Sequence, residues 1–467
     1  MKKATFNHVA MVLSMILVLM LAAILSGCQQ ESESNIKSEN EQKEDSSHIS
    51  ITASEGLSYQ IDPDYDTYIV KGIGMCIDND IYIPATYNGK KVTGIGKDAF
   101  ENCLQITSIT IPEGVWNIGD YAFHGCKYLT SIQLPDSVRS IGDWAFRGCH
   151  SLKNITIPKN VKNIGSRVLS DCGSLTTITV DRGNTTYHST GNCLIETQSK
   201  TLIAGCKNSV IPTDGSVTRI GGDAFYDCSS LKSITIPDSV TSINSGAFSG
   251  CRSLTSITIP NSVTNIASSA FSGCSSLTNI VMPNNITTIE SYMFSECSNL
   301  SSITIPNNVT SIGTSAFKGC SSLTSIIIPD SVITIDENAF RFCYNLTNVT
   351  IGTGITSIEK NAFDGCNRLA GVYISDLTAW CKIKFYYNSF NPLSIAHNLY
   401  LNGNLITDLV IPNGVTQISD YAFKGCSSLT SVTIPNSVTS IGEEAFSGCN
   451  RLESITLPLV GFVVGDT

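Results

Sequence analysis

The sequence predicts a mainly β solenoid, a chain wound into roughly sixteen short coils stacked along one axis. Three observations predict it. An Ala-Phe-x-x-Cys motif returns every 23 residues, at Phe100, Phe123 and Phe146, and again from Phe225 through Phe248, Phe271, Phe294 (with Met293 in place of Ala), Phe317, Phe340 and Phe363. Thirteen of the 15 prolines directly follow Ile, Leu or Met, so the same corner is turned at the same place in each copy. The chain of 467 residues is only 15% charged and rich in Ser, Thr, Ile, Asn and Gly, a mixture that favours strands over helices.

The elements follow in chain order. Residues 1–27 read as a secretory signal: Lys2 and Lys3 precede an apolar stretch from Val9 to Leu25. Leu25-Ser26-Gly27-Cys28 resembles the bacterial lipobox, which implies that Cys28 carries lipid and anchors the chain to a membrane. Residues 28–50 are polar and without period, as a disordered tether would be. Residues 51–98 hold Ile83-Pro84 and Val92-x-x-Ile95, a degenerate first coil expected to cap the stack.

Residues 99–458 are the solenoid proper. The unit Ser253–Cys274 shows its logic. Leu254, Ile257 and Ile259 point inward from a first strand, a proline turns the corner, Val263 and Ile266 point inward from a second, and a tight turn at Ala270-Phe271 closes the coil. One unit buries too little to fold alone, so neighbours must stack. Insertions near residues 181–210 and 372–406 break the count. The first reads as a hairpin turning near Gln198-Ser199. Residues 459–467 form a tail after Leu457-Pro458 that reads as cut short.

The unit pattern, L-x-x-I-x-I-P-x-x-V-x-x-I-G-x-x-A-F-x-G-C, is that of leucine-rich repeats and resembles the BspA-like type over roughly residues 56–458. That family comprises surface proteins of oral and gut bacteria and of some mucosal protists, some of them adhesins. The resemblance implies display at the cell envelope and binding to a host or bacterial surface protein or glycan.

No reaction is indicated. The six histidines fall in no metal-binding spacing, no nucleophile elbow or phosphate loop is present, and no cofactor is expected. A net charge of −10 with no basic patch argues against nucleic acid. Of the 18 cysteines, thirteen form the column from Cys103 to Cys449, read as a ladder of buried free thiols because neighbours about 4.8 Å apart with parallel side chains do not suit a disulfide. Cys193 and Cys206 are the candidate disulfide pair, facing across the first insertion.

Two features suggest binding. Outward residues of the first strands, such as Ser256/Thr258 and Ser431/Thr433, form files of short polar groups. These either serve solubility and strand propensity or offer a repetitive surface to a polymer. The second insertion gathers Trp380, Phe385, Tyr386 and Tyr387, either as a binding hot spot or as repacked core. The leading expectation is a lipid-anchored surface binding protein of the adhesin kind. The alternative is an envelope scaffold that self-associates or binds other envelope components, and an ice-binding face is a weaker third.

Overall fold

A computed structural model describes residues 52–386 and 391–458 and the backbone of Val463–Val464. Thr52–Thr467 form one compact unit. The signal segment, Cys28, the whole of the tether and Tyr387 lie outside the described residues.

Each coil has three sides, and each side is tied to the next coil. First strands pair in parallel with a shift of one repeat, as Ser256↔Asn279 and Ile257↔Ile280. Second strands do the same, as Ser242↔Asn265 and Ile243↔Ile266. The turn makes the third ladder through backbone bonds, with Phe248 N–H to Ala270 O at 2.8 Å and Gly250 N–H to Ser272 O at 2.7 Å. Stacking by one period places every side chain on its own equivalent. Phe248 and Phe271 lie with centroids 5.5 Å apart and planes 1° apart, and both are fully buried. Each such ring contributes roughly 1.5–3 kcal/mol by leaving water.

The turn explains the Gly of the motif. Its two left-handed residues are Ser269 (φ 60°) and Gly273 (φ 71°), and only the second falls on the motif glycine. The cysteine beside it has a partner. Cys274 Sγ donates to Phe248 O at 3.1 Å, and Cys126 Sγ to Phe100 O at 3.0 Å, so the thiol column stitches each coil to the one before. All the described cysteines are free. Burial pushes the thiols up, Cys126 and Cys274 to about 12.

At the start of the stack an antiparallel hairpin, Ser58–Asp62 with Thr67–Gly72, precedes the degenerate coil. Its second strand pairs in parallel with Lys90–Ile95, which opens the second-strand ladder. The cap is therefore a hairpin as well as a coil. Tyr59 stacks on Tyr87 at 3.9 Å and closes its outer side.

The first insertion is a three-stranded antiparallel meander, Tyr187–Thr190, Cys193–Glu196 and Thr201–Ala204, turning at residues 197–200 as the sequence suggests. It divides the interior. Cys193, Ile195 and Leu202 pack into the C-terminal core, whereas Leu194, Ala204 and Cys206 pack into the N-terminal core. The candidate Cys193–Cys206 disulfide is not formed: both thiols are free, and their side chains serve different cores.

Candidate functional site

The outer face of the first strands is the broadest regular surface. Its polar groups divide into two kinds. A Thr just before the strand is used by the fold in several coils: Thr278 Oγ1 donates to Thr255 O at 3.1 Å, and Thr347 Oγ1 to Thr324 O at 2.9 Å. Outward groups within the strands are turned to solvent, as Ser256 and Thr258 are. At two places a carboxylate closes the Ser file. Asp80 accepts from Ser108 at 2.6 Å and Asp408 from Ser431 at 2.5 Å, and these hydroxyl bonds hold both carboxyls below the usual range.

The face changes character along its length. Before the first insertion the second outward position holds Thr110, Gln133, Thr156 and Thr179, and the last two hydroxyls bond each other at 2.7 Å. After it, Val281, Ile327, Tyr373, Tyr400 and Val410 appear in the same position. Ile327 is 67% exposed. Tyr373 and Tyr400 stack at 4.5 Å with planes 9° apart. They fit because the inner neighbour is Gly371: a Cβ there would meet Tyr373 Cε2 at 2.8 Å and Tyr400 Cε2 at 3.1 Å. From Thr255 to Tyr400 the outward positions of the first strands carry no charge. Sequence reading passed over Tyr373 and Tyr400. The signal was their place in the coil, where the repeat puts Thr.

The aromatic cluster expected at the second insertion is only partly on the surface. Trp380 is 1% exposed, and its Nε1–H donates to Ala422 O at 3.0 Å. Phe385 is also buried and packs on Trp380 at 5.6 Å. For these two, named as candidate ligand-binding residues, the structure rules against the hot spot and for the repacked-core alternative, because the insertion interrupts the Phe column between Phe363 and Phe423 and the indole lies in the continuous core there. Tyr386 is exposed. It borders an open cleft of about 490 Å³ with Lys382, Lys384, Asp420 and Glu443. The cleft marks a break in the second-strand ladder, which stops at Lys384–Phe385 and restarts separately at Gln417–Ile418.

At the first insertion the charged groups serve the join. Arg167 binds Asp223 through both carboxylate oxygens, at 2.9 and 3.1 Å, and its guanidinium lies between Trp144 (4.7 Å) and Tyr226 (4.1 Å). Arg147 stands over Trp144 and reaches Asp227 at 3.5 Å. Among the described residues, no group of three or more His, Cys, Asp or Glu is placed to hold a metal, and no helix is long and apolar enough to cross a membrane.

A coil of this period with strand, proline corner and closing turn defines a leucine-rich-repeat solenoid. The family model for the BspA type leucine rich repeat region matches residues 93–214, 199–324, 287–400 and 393–462, and the chain belongs to that family. A leucine-rich repeat protein from Bacteroides ovatus is similar in structure, with 29% identity and a TM-score of 0.56, over 87% of this chain and 94% of that one. Another from Eubacterium ventriosum has 25% identity and a TM-score of 0.54, over 67% of this chain and 93% of that one. No curated protein matches the sequence.

Proposed function

We propose that this protein is a lipid-anchored binding protein of the bacterial cell surface, an adhesin whose strand face holds an extended, uncharged partner in the host matrix or on a glycan coat. One observation carries the reading: a flat run of outward positions, free of charge from Thr255 to Tyr400, with hydroxyl, amide and aromatic groups at coil spacing. Such a face gains from repetition, since each contact is weak and many act together. Membership of a repeat family without shared catalytic residues supports binding over chemistry. The lipobox-like Leu25-Ser26-Gly27-Cys28 supports attachment at the envelope. The test is saturable binding of the full chain to arrayed matrix proteins, mucins and glycans, with the strand-face variant Ile327→Asp/Tyr373→Asp/Tyr400→Asp as comparator. Binding that the variant lacks supports the reading. No binding by either, or equal binding by both, overturns it.

A further inference from the structure

The strand face has one place where a single flat ring would fit. Ser325, Asn348 and Gly371 pair in register, as do Ile327, Thr350 and Tyr373. Ile327 stands high on one side and Tyr373 on the other, with the shorter Thr350 between them. Two parallel-strand steps span about 9.6 Å. After the thickness of the two walls, that leaves room for about one ring.

The walls differ usefully. Tyr373 has one face covered by Tyr400, so its other face looks across Thr350 towards Ile327. A ring lying over Thr350 would become the third member of the existing aromatic stack. The floor is polar: the Thr350 hydroxyl has no hydrogen-bond partner among the described residues, unlike Thr156 and Thr179, which satisfy each other. Asn348 lies alongside, its Nδ2 donating to Thr347 Oγ1 at 3.2 Å and its Oδ1 turned towards Gly371. No charge stands at the outward positions around the notch.

From this geometry we infer that the Ile327–Thr350–Tyr373 notch is a saccharide subsite that takes one uncharged pyranose unit of a neutral glycan. This rests on the surface-binding function proposed above and names its ligand class. A pyranose has an apolar C–H face that lies flat against an aromatic ring, and a rim of hydroxyls that both donate and accept. Tyr373 supplies the ring. Thr350 and Asn348 supply neutral donors and acceptors at the floor. An acidic glycan or a nucleic acid would find no cation here to neutralise it. The chain on either side of the bound unit would run along the uncharged Ser/Thr face, adding weak contacts.

The experiment is calorimetric titration of the full chain with cello-, malto-, manno- and chito-oligosaccharides, and with heparin as the charged contrast. At least one neutral oligosaccharide is expected to bind saturably and heparin is expected not to. Tyr373→Ala, which removes the wall, and Thr350→Trp, which fills the notch, should each weaken that binding about tenfold or more. Tyr386→Ala, at the cleft on the other ladder, should leave it unchanged. An unchanged melting temperature in both notch variants separates loss of the site from loss of the fold. The proposal is overturned if no neutral oligosaccharide binds, or if both notch variants bind as the parent does. If the full chain captures matrix proteins but no oligosaccharide, the subsite falls and the surface-binding function stands. If it captures neither, both fall.

Discussion

The two insertions solve the same problem in different ways. A solenoid coil gives its neighbours apolar fill, ladder bonds and an outward face, and an insertion must replace all three. The meander at residues 187–204 ends one second-strand ladder and opens the next, since the earlier sheet stops at Asn163–Ile164 and Thr201–Leu202 pairs in parallel with Arg219–Ile220. It sacrifices the continuity of the core, which it splits into two clusters. The insertion around Trp380 keeps the core continuous from Cys193 to Cys449 but leaves the second-strand ladder open beside Tyr386. A meander of alternating strands has two buried faces and so must divide an interior. A four-residue helix, Leu377–Trp380, can drop one large side chain into the core and leave. The difference teaches that interior and ladder are separable demands in this fold.

The largest expected effect probes what both insertions interrupt, the thiol column. Burial keeps the thiols of the column neutral when folded by raising them, Cys126, Cys228 and Cys274 to about 12. An unfolded thiol ionises near 8.5. The stability of the neutral column is therefore fully present below about pH 8.5 and falls as pH rises towards the folded values, because only the unfolded chain loses protons in that window. With about ten such groups the loss reaches on the order of 10 kcal/mol per pH unit. Circular dichroism under reducing conditions should show cooperative unfolding within about one to two units above that point. A fold intact at pH 11 would contradict the buried-thiol column. Hydrogen exchange through the transition should show the two cores lost at different pH values if the meander isolates them.

Trp380→Ala comes next. It empties the place that bridges the Phe column and leaves Ala422 O without the indole donor, although Asn391 Nδ2 still reaches that oxygen at 3.2 Å. The expected cost is about 3–5 kcal/mol in urea unfolding. Protection of the N-terminal core should be unchanged. A loss spread evenly over both cores would mean that the meander does not separate them.

Arg167→Ala tests the other join and should be milder. The guanidinium and Asp223 are each less than a third exposed. A partly buried bidentate pair with two ring faces is worth about 1–2 kcal/mol. Its removal should lower the coupling between the cores, seen as separate melting transitions, and should leave the Trp380 region unaltered.

How far these features were legible depends on repetition. A position copied along the whole chain reveals its side of the coil: Phe271 inward, Ser256 outward and Cys274 in the turn were all readable from the period. Insertion residues occur once. Trp380 sits on a helix too short to show which face is buried, so the aromatic count alone left hot spot and repacked core both open. Cys193 and Cys206 were close along the chain and both thiols lie beside the Ser209 side chain, yet they stay free, and Cys193 packs with one core and Cys206 with the other. Tyr373 was readable in principle, since it stands two residues after Gly371 where the repeat has Thr.

The smallest expected effect contrasts one glycine from each region. A Cβ at Gly205 would collide with the ring of Phe225, which is 1% exposed and fixed in the column. Gly205→Ala therefore cannot be absorbed and should cost about 1–3 kcal/mol as overpacking. A Cβ at Gly371 meets the edges of Tyr373 and Tyr400 and, at 3.3 Å, the Asn348 amide oxygen, all of them ends of surface side chains that can swing away. The change Gly371→Ser restores the residue type of the repeat, and a strand residue other than Gly loses less entropy on folding, by about 0.5 kcal/mol or more. Its stability should stay within about 0.5 kcal/mol of the parent, or rise. Binding at the strand face should nonetheless weaken several-fold, because the displaced ring no longer presents its face over Thr350. Equal loss of stability at both glycines would mean that the tyrosines are held as rigidly as the core, and that the notch is a packing feature of the coil.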